Sequence, residues 1–238
     1  RIQDVLIRES TIAETSSMAS HTAYKDLVVL FARDSVFVRS AMSDVITNRG
    51  RIPLGTSAPV ALMTENVLMA TSRLEFVRNT QISHDTGITW RSIKGNTATV
   101  SGDGDVYTMY RGTLYRYSVG DTVIMLDSLA VSLRTNEAMS DIVPTKSGVW
   151  IFITDIDQKR NSRVNRFIYV RDGVVADTCS LVTEIPYRTL HAGVMGEDAL
   201  FVVASYGGQY WFRPNRETDW MFGSFTPWQI WPRSHNVV

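Results

Sequence analysis

The sequence predicts an all-β propeller of five four-stranded blades, and three observations support this fold class. Short alternating or apolar runs broken by Gly, Asp and Asn recur along the chain, without sustained helical periodicity. Nine Tyr, nine Phe and six Trp favour strands. Predicted hairpins return at steps of about 32 to 50 residues, which brackets the period of four-stranded blades. Residues 1–238 are therefore expected to form one domain.

Each of the five units begins with a predicted hairpin, whose turns lie near residues 34, 66, 103, 147 and 197. The last four units each continue with a second strand pair, with turns near 85–87, 120–121, 172–173 and 216–218. Four strands per unit is the count of a propeller blade. The first unit is the least regular, because 40–54 lacks a clean strand pair, and a strand at 2–7 is expected to close the ring. A β-sandwich is the alternative architecture, since turn spacing does not distinguish the two.

Composition narrows the classes of function. The formal net charge is zero, so no uniform positive field draws the protein to nucleic acid. Nucleic acid is therefore not expected as a partner. A single cysteine, Cys179, excludes an internal disulfide framework and a cysteine-based zinc site. No apolar run approaches the roughly 20 residues that span a bilayer, so no transmembrane segment is predicted.

The chain starts with Arg1 rather than Met, and no apolar signal segment follows. We therefore expect a processed protein or a piece of a larger one. The sequence leaves the compartment open, and an extracytoplasmic location is expected if a signal has been removed.

The eight residues from Ser83 to Trp90 form the most specific motif of the chain. They read Ser-His-Asp-Thr-Gly-Ile-Thr-Trp, and they match the pattern Ser-x-Asp-x-Gly-x-Thr-Trp, which resembles the Asp-box, or BNR repeat, of sialidases and related propellers. Asp85 is expected to accept hydrogen bonds from its own turn, Gly87 to adopt a positive φ, and Trp90 to cover the hairpin. We predict that this box locks a turn between the third and fourth strands of the second blade and performs no chemistry, through Ser83, Asp85, Gly87, Thr89 and Trp90.

The resemblance extends upstream to Arg51-Ile52-Pro53, and at its widest it covers 51–90, about a sixth of the chain. In sialidases the arginine of this tripeptide is one of three that grip a sugar carboxylate, so the resemblance implies such a role for Arg51. A further arginine often follows the next strand, where Arg73 stands. The acidic residue that the family places before its first box has no clear counterpart, since Glu75 is the one acidic residue in 74–82.

Sialidases also use a tyrosine nucleophile that a glutamate activates. Glu184 and Tyr187 are the one nearby pair of this kind in a turn-like context, and no family motif surrounds them. The sequence therefore supplies no recognisable catalytic set, and we assign no catalytic residue.

Other polar clusters are interpreted as ordinary structure. Two acidic pairs offer oxygen ligands to calcium, but neither stretch forms a complete loop and hairpin turns explain both: Asp103 with Asp105, and Asp155 with Asp157. The four histidines, at 21, 84, 191 and 235, form no metal-binding pattern, so neither a metal nor a cofactor is predicted. A basic run is interpreted as a solvated strand face or loop tip: Lys159, Arg160, Arg163 and Arg166.

Aromatic residues are concentrated in the last unit, where they either fill the space between blades or form a binding platform: Tyr206, Tyr210, Trp211, Phe212, Trp220, Phe222, Phe225, Trp228 and Trp231. We predict a non-catalytic β-propeller that serves as a protein interaction or structural scaffold module, with a protein partner or a larger assembly. The alternatives are a sialidase-like glycoside hydrolase and a non-catalytic glycan-binding propeller. The sequence assigns no binding residues.

Overall fold

The computed structural model describes residues 19–32, 35–40, 42–43, 45–53, 60–63, 67–71, 79–95, 97–120, 122–155, 162–183, 190–204 and 208–224. Every regular element in these ranges is a β-strand, and the strands form five four-stranded antiparallel sheets in which chain neighbours pair. This is the predicted all-β architecture with the predicted number of blades. The chain divides into two compact units, residues 1–100 with 104–128, and residues 101–103 with 129–238.

The first three sheets belong to the first unit, apart from the loop 101–103 and the end of the last strand. Sheet 1 contains β1 (Ala19–Tyr24), β2 (Leu27–Ala32), β3 (Ser35–Ser40) and β4 (Ile46–Arg51). Sheet 2 contains β5 (Val60–Met63), β6 (Leu68–Thr71), β7 (Asn79–Ser83) and β8 (Arg91–Lys94). Sheet 3 contains β9 (Thr97–Val100), β10 (Val106–Tyr110), β11 (Thr113–Val119) and β12 (Val123–Ala130).

The last two sheets belong to the second unit. Sheet 4 contains β13 (Glu137–Pro144), β14 (Val149–Asp155), β15 (Arg163–Arg171) and β16 (Val174–Thr183). Sheet 5 contains β17 (Leu190–Met195), β18 (Ala199–Ala204), β19 (Gln209–Arg213) and β20 (Met221–Ser224).

The predicted hairpins of sheets 2 to 5 are confirmed, but the prediction for sheet 1 is out of step by one strand. The pair taken as its first hairpin is β2 with β3, and β1 precedes it. The stretch that lacked a clean strand contains β4, whose side chains are mostly exposed because it is an outer strand with one neighbour. Such a strand buries little, so no apolar alternation marks it. The strand predicted at 2–7 lies outside the described residues.

Three clusters of buried side chains lie between successive sheets within the two units. Sheets 1 and 2 share one around Phe31 and Leu68. Sheets 2 and 3 share another around Met69 and Val106. Sheets 4 and 5 enclose the most aromatic one: Trp150, Phe152, Phe167, Tyr169 and Trp211. The middle strands supply most of these residues. The fourth strand of each sheet is an outer edge, because it pairs with one neighbour.

Candidate functional site

The turn Ser83–Trp90 joins β7 to β8, the third and fourth strands of sheet 2. Asp85 is its hub. Oδ1 of Asp85 accepts hydrogen bonds from the Ser83 hydroxyl at 2.7 Å and from the backbone N–H groups of Ile88 and Thr89 at 3.1 and 2.8 Å. Oδ2 accepts the Thr89 hydroxyl at 2.6 Å. One carboxylate thus satisfies donors along the whole turn.

Gly87 and Trp90 connect this turn to the core. The backbone N–H of Gly87 donates to the Ser83 hydroxyl at 2.7 Å, and the Trp90 indole N–H donates to the Gly87 carbonyl at 3.1 Å. Gly87 has a φ of +93°, and a Cβ there would lie 2.9 Å from Cγ1 of Val36 in sheet 1. Glycine is therefore required at position 87, because it adopts this positive φ without strain and has no Cβ to collide with Val36. The half-buried Trp90 ring packs against the cluster shared by sheets 1 and 2.

We expect Asp85→Ala to lower the free energy of unfolding by about 1–3 kcal/mol at pH 7, because several donors lose their acceptor. Partial burial raises the pKa of Asp85, but the hydrogen bonds from Thr89 and Ser83 and the nearby His84 together have the larger effect. The pKa is therefore lowered overall, from 3.8 to about 2. A carboxyl whose pKa is depressed by folding stabilises the protein above its unfolded pKa and ceases to do so as the pH falls through the folded pKa. The difference between wild type and variant should therefore shrink as the pH falls from 3.8 to about 2.

Urea unfolding followed by fluorescence over this pH range measures the effect. Asp219→Ala is the matched control, because Asp219 is an exposed aspartate in the equivalent turn of sheet 5. An Asp85→Ala variant as stable as this control at pH 7 would show that the carboxylate does not hold the turn.

The turn between β19 and β20 in sheet 5 has the same length and the same tryptophan position. Trp220 stands seven residues after Arg213, as Trp90 stands seven after Ser83. Asn215 replaces the hub carboxylate, and its Oδ1 accepts the backbone N–H of Glu217 at 2.9 Å. The sequence motif is absent here, so the spacing of the tryptophan was the one available signal.

Trp220 also packs against the preceding sheet of its own unit. Its ring lies 5.3 Å from that of Phe167, and its indole N–H donates to the Ser180 carbonyl of β16 at 2.9 Å. Arg213 extends the same contact, since Nη1 lies 3.8 Å from Oδ2 of Asp177 on β16. The β19–β20 turn therefore covers part of the outer edge of sheet 4.

Of the residues that the sialidase resemblance implied, the structure describes Arg51 alone. Arg51 ends β4 and is exposed. The other four lie outside the described residues: Arg73, Glu75, Glu184 and Tyr187.

A different tyrosine and glutamate do meet, in the second unit. The Tyr169 hydroxyl donates to Oε2 of Glu197 at 3.0 Å, and the Ser147 hydroxyl donates to the same oxygen at 3.0 Å. Burial raises the pKa of Glu197, but the hydrogen bonds from Tyr169, Ser147 and Thr145 outweigh it and lower the pKa overall. Tyr169 is completely buried, so its oxygen is closed to a substrate and the pair serves as a polar bridge between sheets 4 and 5.

The space around this bridge is tight. A Cβ on Gly148 would lie 2.4 Å from the Val170 carbonyl and 3.2 Å from the Tyr169 ring. The Arg216 guanidinium lies 4.6 Å from the centre of the Tyr169 ring, which is within the range of a cation–π contact. These contacts hold Tyr169 in one position, which is typical of a structural rather than a reactive side chain.

The acidic and basic clusters noted in the sequence are mostly engaged in pairs. Asp105 binds Arg116, and the buried Asp155 accepts the Asn136 amide at 2.8 Å. Asp103 is exposed, whereas Asp157 lies outside the described residues. Among the described residues, no group of three His, Cys, Asp or Glu side chains is arranged to hold a metal ion.

The two described members of the basic run do not form a solvated strand face, and the predicted alternative of a loop tip falls on residues outside the described part. Arg163 is buried, and Arg166 forms a two-pronged ion pair with Glu137. Lys159 and Arg160 lie outside the described residues.

The aromatic residues that the sequence concentrates in the last predicted blade divide between the core and the surface. Trp211 is buried, Tyr210, Phe212 and Trp220 are half-buried, and Phe222 on the outer strand β20 is 63% exposed. The remaining four lie outside the described residues: Tyr206, Phe225, Trp228 and Trp231. Trp211 and Trp220 pack in the cluster between sheets 4 and 5, whereas Tyr210 and Phe212 lie beside Phe201 within sheet 5.

An exposed apolar patch lies on β12, the outer strand of sheet 3. Ile124, Met125 and Leu126 are 56, 57 and 47% exposed and follow one another in the chain. Because successive side chains of a strand point to opposite faces, the patch presents apolar groups on both faces of the sheet edge. We define these three residues as the β12 patch. Exposed apolar side chains that lie together in this way are a candidate interaction site.

No helix in the described part of the chain is long and apolar enough to cross a membrane. No protein-family model matches the sequence, and no curated protein matches it.

Solved structures share the fold at low sequence identity. Hsv2 from Kluyveromyces marxianus has a TM-score of 0.56 and 10% identity, over 87% of this chain and 71% of its own. YCF48 from Cyanidioschyzon merolae has a TM-score of 0.54 and 9% identity, over 86% and 71%. A structure of YCF48 bound to D1 peptide has a TM-score of 0.51 and 8% identity, over 85% and 66%. These likenesses show that the fold class is a β-propeller.

Proposed function

We propose that this β-propeller is a non-catalytic module that binds a protein partner through the β12 patch, as a scaffold or as part of a larger assembly. The observation that carries the proposal is the run of three consecutive exposed apolar side chains at Ile124, Met125 and Leu126. Leaving such side chains in water costs free energy that a partner recovers by covering them. We further propose that residues 1–238 form one domain, which should unfold in a single transition in differential scanning calorimetry.

Two further observations support this class of function. The similar structure of YCF48 is bound to a peptide, so this fold carries peptide binding in at least one other protein. The Ser83–Trp90 turn, interpreted as an Asp-box of the sialidase-like type, is assigned a structural role, because its polar groups are satisfied within the turn.

Photo-crosslinking tests the partner. Benzoylphenylalanine at position 125 is incorporated in the source cells, and the same residue at position 175 is the control, since Val175 is also an exposed apolar residue on an outer strand. The protein captured at 125 is then purified and its affinity is measured against wild type, Ile124→Lys and Val174→Lys. We expect Ile124→Lys to weaken binding about tenfold or more, and Val174→Lys to leave it within about twofold.

Direct binding by the purified partner is the decisive measurement. A purified partner that fails to bind, or that binds both lysine variants equally well, would contradict the proposal.

The alternative function is a sialidase-like hydrolase, and we expect no turnover of a fluorogenic sialoside. An active site of that type requires an accessible tyrosine beside its glutamate, whereas Tyr169 is buried against Glu197. Arg51→Ala serves as the control. Turnover that this substitution abolishes would establish the enzyme, and glycan binding without turnover would favour the lectin-like alternative.

A further inference from the structure

Within the described residues, the outer edge of sheet 3 carries few of the features that protect an edge strand. β12 is eight residues long and pairs, within the described residues, with β11 alone. Backbone groups on the other side of such a strand are open to a further strand, and proteins normally block this with Lys, Pro or a bulge. The stretch Val123–Ala130 contains neither Lys nor Pro, and Asp127 is its one ionisable side chain.

The shape of the β12 patch indicates an occupant that lies in the plane of the sheet. Ile124 and Leu126 share one face of the strand, and Met125 shares the other face with Asp127. A helix laid on the sheet would cover one of these faces and leave the other in water. A strand added beside β12 would place side chains on both faces and cover both.

The charges next to the patch indicate what such a strand carries. Arg116 on β11 lies between two carboxylates, with Nη2 2.6 Å from Oδ2 of Asp105 and Nη1 3.5 Å from Oδ2 of Asp127. The Asp127 side chain is 35% exposed at the edge, and its carboxylate makes the longer of the two contacts with Arg116. A cation on an added strand would complement this charge at close range.

The outer strand of sheet 4 provides a contrast. On β16, the Ser180 carbonyl is occupied by the Trp220 indole and Asp177 is approached by Arg213. A side chain from the following sheet therefore already occupies an acceptor of that edge. Among the described residues of the first unit, none outside sheet 3 makes such a contact with the β12 patch.

We propose that β12 binds an extended segment of a partner protein as a fifth strand of sheet 3, and that this segment carries Lys or Arg beside Asp127. The proposal rests on the proposed function, and it specifies the mode of binding and the chemistry of the partner. Main-chain hydrogen bonds to the open edge provide affinity, while the apolar patch and Asp127 provide selectivity.

A library of linear twelve-residue peptides displayed on phage tests the recognition. Selection on the wild-type protein is paired with counter-selection on Ile124→Lys, whose fold is first verified by its thermal melt. We expect the selected peptides to alternate apolar residues and to carry Lys or Arg at one fixed position. Selection on Asp127→Lys should replace that cation with Asp or Glu.

Backbone methylation tests the mode of binding. Two versions of one selected peptide are N-methylated at alternate residues, so that each blocks one edge of the peptide strand. One version should bind at least about tenfold more weakly, because it loses the main-chain bonds to β12, and the other should bind within about threefold of the parent.

Each outcome has a defined meaning. No enrichment over the counter-selected variant, enrichment of helix-periodic peptides, or equal effects of the two methylated versions would overturn strand addition. Self-association through this edge, seen as a dimer in sedimentation that Ile124→Lys dissociates, would also overturn it by making a second copy the occupant. A cellular partner that binds through the patch while these peptide tests fail would leave the proposed function standing without this mode.

Discussion

Trp150→Ala is expected to lower the free energy of unfolding by about 3–5 kcal/mol, the largest effect of any single substitution considered for this chain. The Trp150 side chain is 1% exposed, and its ring centre lies 5.1 Å from that of Tyr169. Its indole N–H donates to the Glu197 carbonyl at 3.3 Å. Truncation leaves a large cavity in the most aromatic cluster and removes that donor.

Guanidinium unfolding followed by circular dichroism measures this loss. Trp150→Phe is the matched control, because it retains most of the apolar volume and loses the hydrogen bond, and it should cost about 1–2 kcal/mol. A loss below about 1 kcal/mol for Trp150→Ala would mean that the site collapses without a cavity, contrary to the packing described.

Glu137→Ala is expected to lower the free energy of unfolding by about 2–4 kcal/mol, because it leaves the Arg166 guanidinium without its carboxylate. The Glu137 side chain is 1% exposed, and the Arg166 side chain is 25% exposed, which moderates the cost. The two prongs of the pair measure 2.8 Å from Nε to Oε1 and 2.6 Å from Nη2 to Oε2. The backbone N–H of Arg134 donates to the same carboxylate at 2.9 Å.

The double substitution Glu137→Leu with Arg166→Met separates an unpaired charge from lost packing. Replacing a buried ion pair by apolar residues is often close to neutral, so the double variant should recover most of the stability lost in Glu137→Ala. Equal instability of the two variants would show that packing, not the unpaired cation, accounts for the loss.

The ion pair also predicts a dependence on pH. The hydrogen bond from Arg166 lowers the pKa of Glu137, against the opposing effect of burial, to below its ordinary value of 4.5. The pair therefore stabilises the protein above that value, and this contribution is lost as the pH falls through the lower folded pKa. Unfolding at a series of pH values, with the double variant as reference, measures this loss.

Local contacts were predictable from the sequence, and distant ones were not. The hydrogen bonds of Asp85 reach at most four residues along the chain, so a short motif predicted the geometry of its turn. Tyr169 and Glu197 are 28 residues apart, and no local pattern joins them. Chain proximity therefore favoured Glu184 with Tyr187, which lie outside the described residues.

Outer strands account for the other differences. The residues of β4 are mostly polar, as is usual at a sheet edge. The local pattern therefore indicated no clear strand there, and the predicted first hairpin of sheet 1 was out of step by one strand. The β12 patch has the opposite composition, since its apolar run would ordinarily predict burial. Position within a sheet decides the exposure of both strands, and one sequence does not encode that position locally.

The two turn tryptophans carry a consequence for synthesis on the ribosome. Trp90 and Trp220 each close a core that belongs partly to the preceding sheet. A nascent chain that ends at Thr183 has all four strands of sheet 4 but lacks the indole that reaches Ser180, 40 residues before it. Because a chain emerges from its N-terminus, the packing of each of these sheets is completed only when the following sheet has been synthesised. A truncation after Thr183 would leave the Phe167 ring without its contact with Trp220.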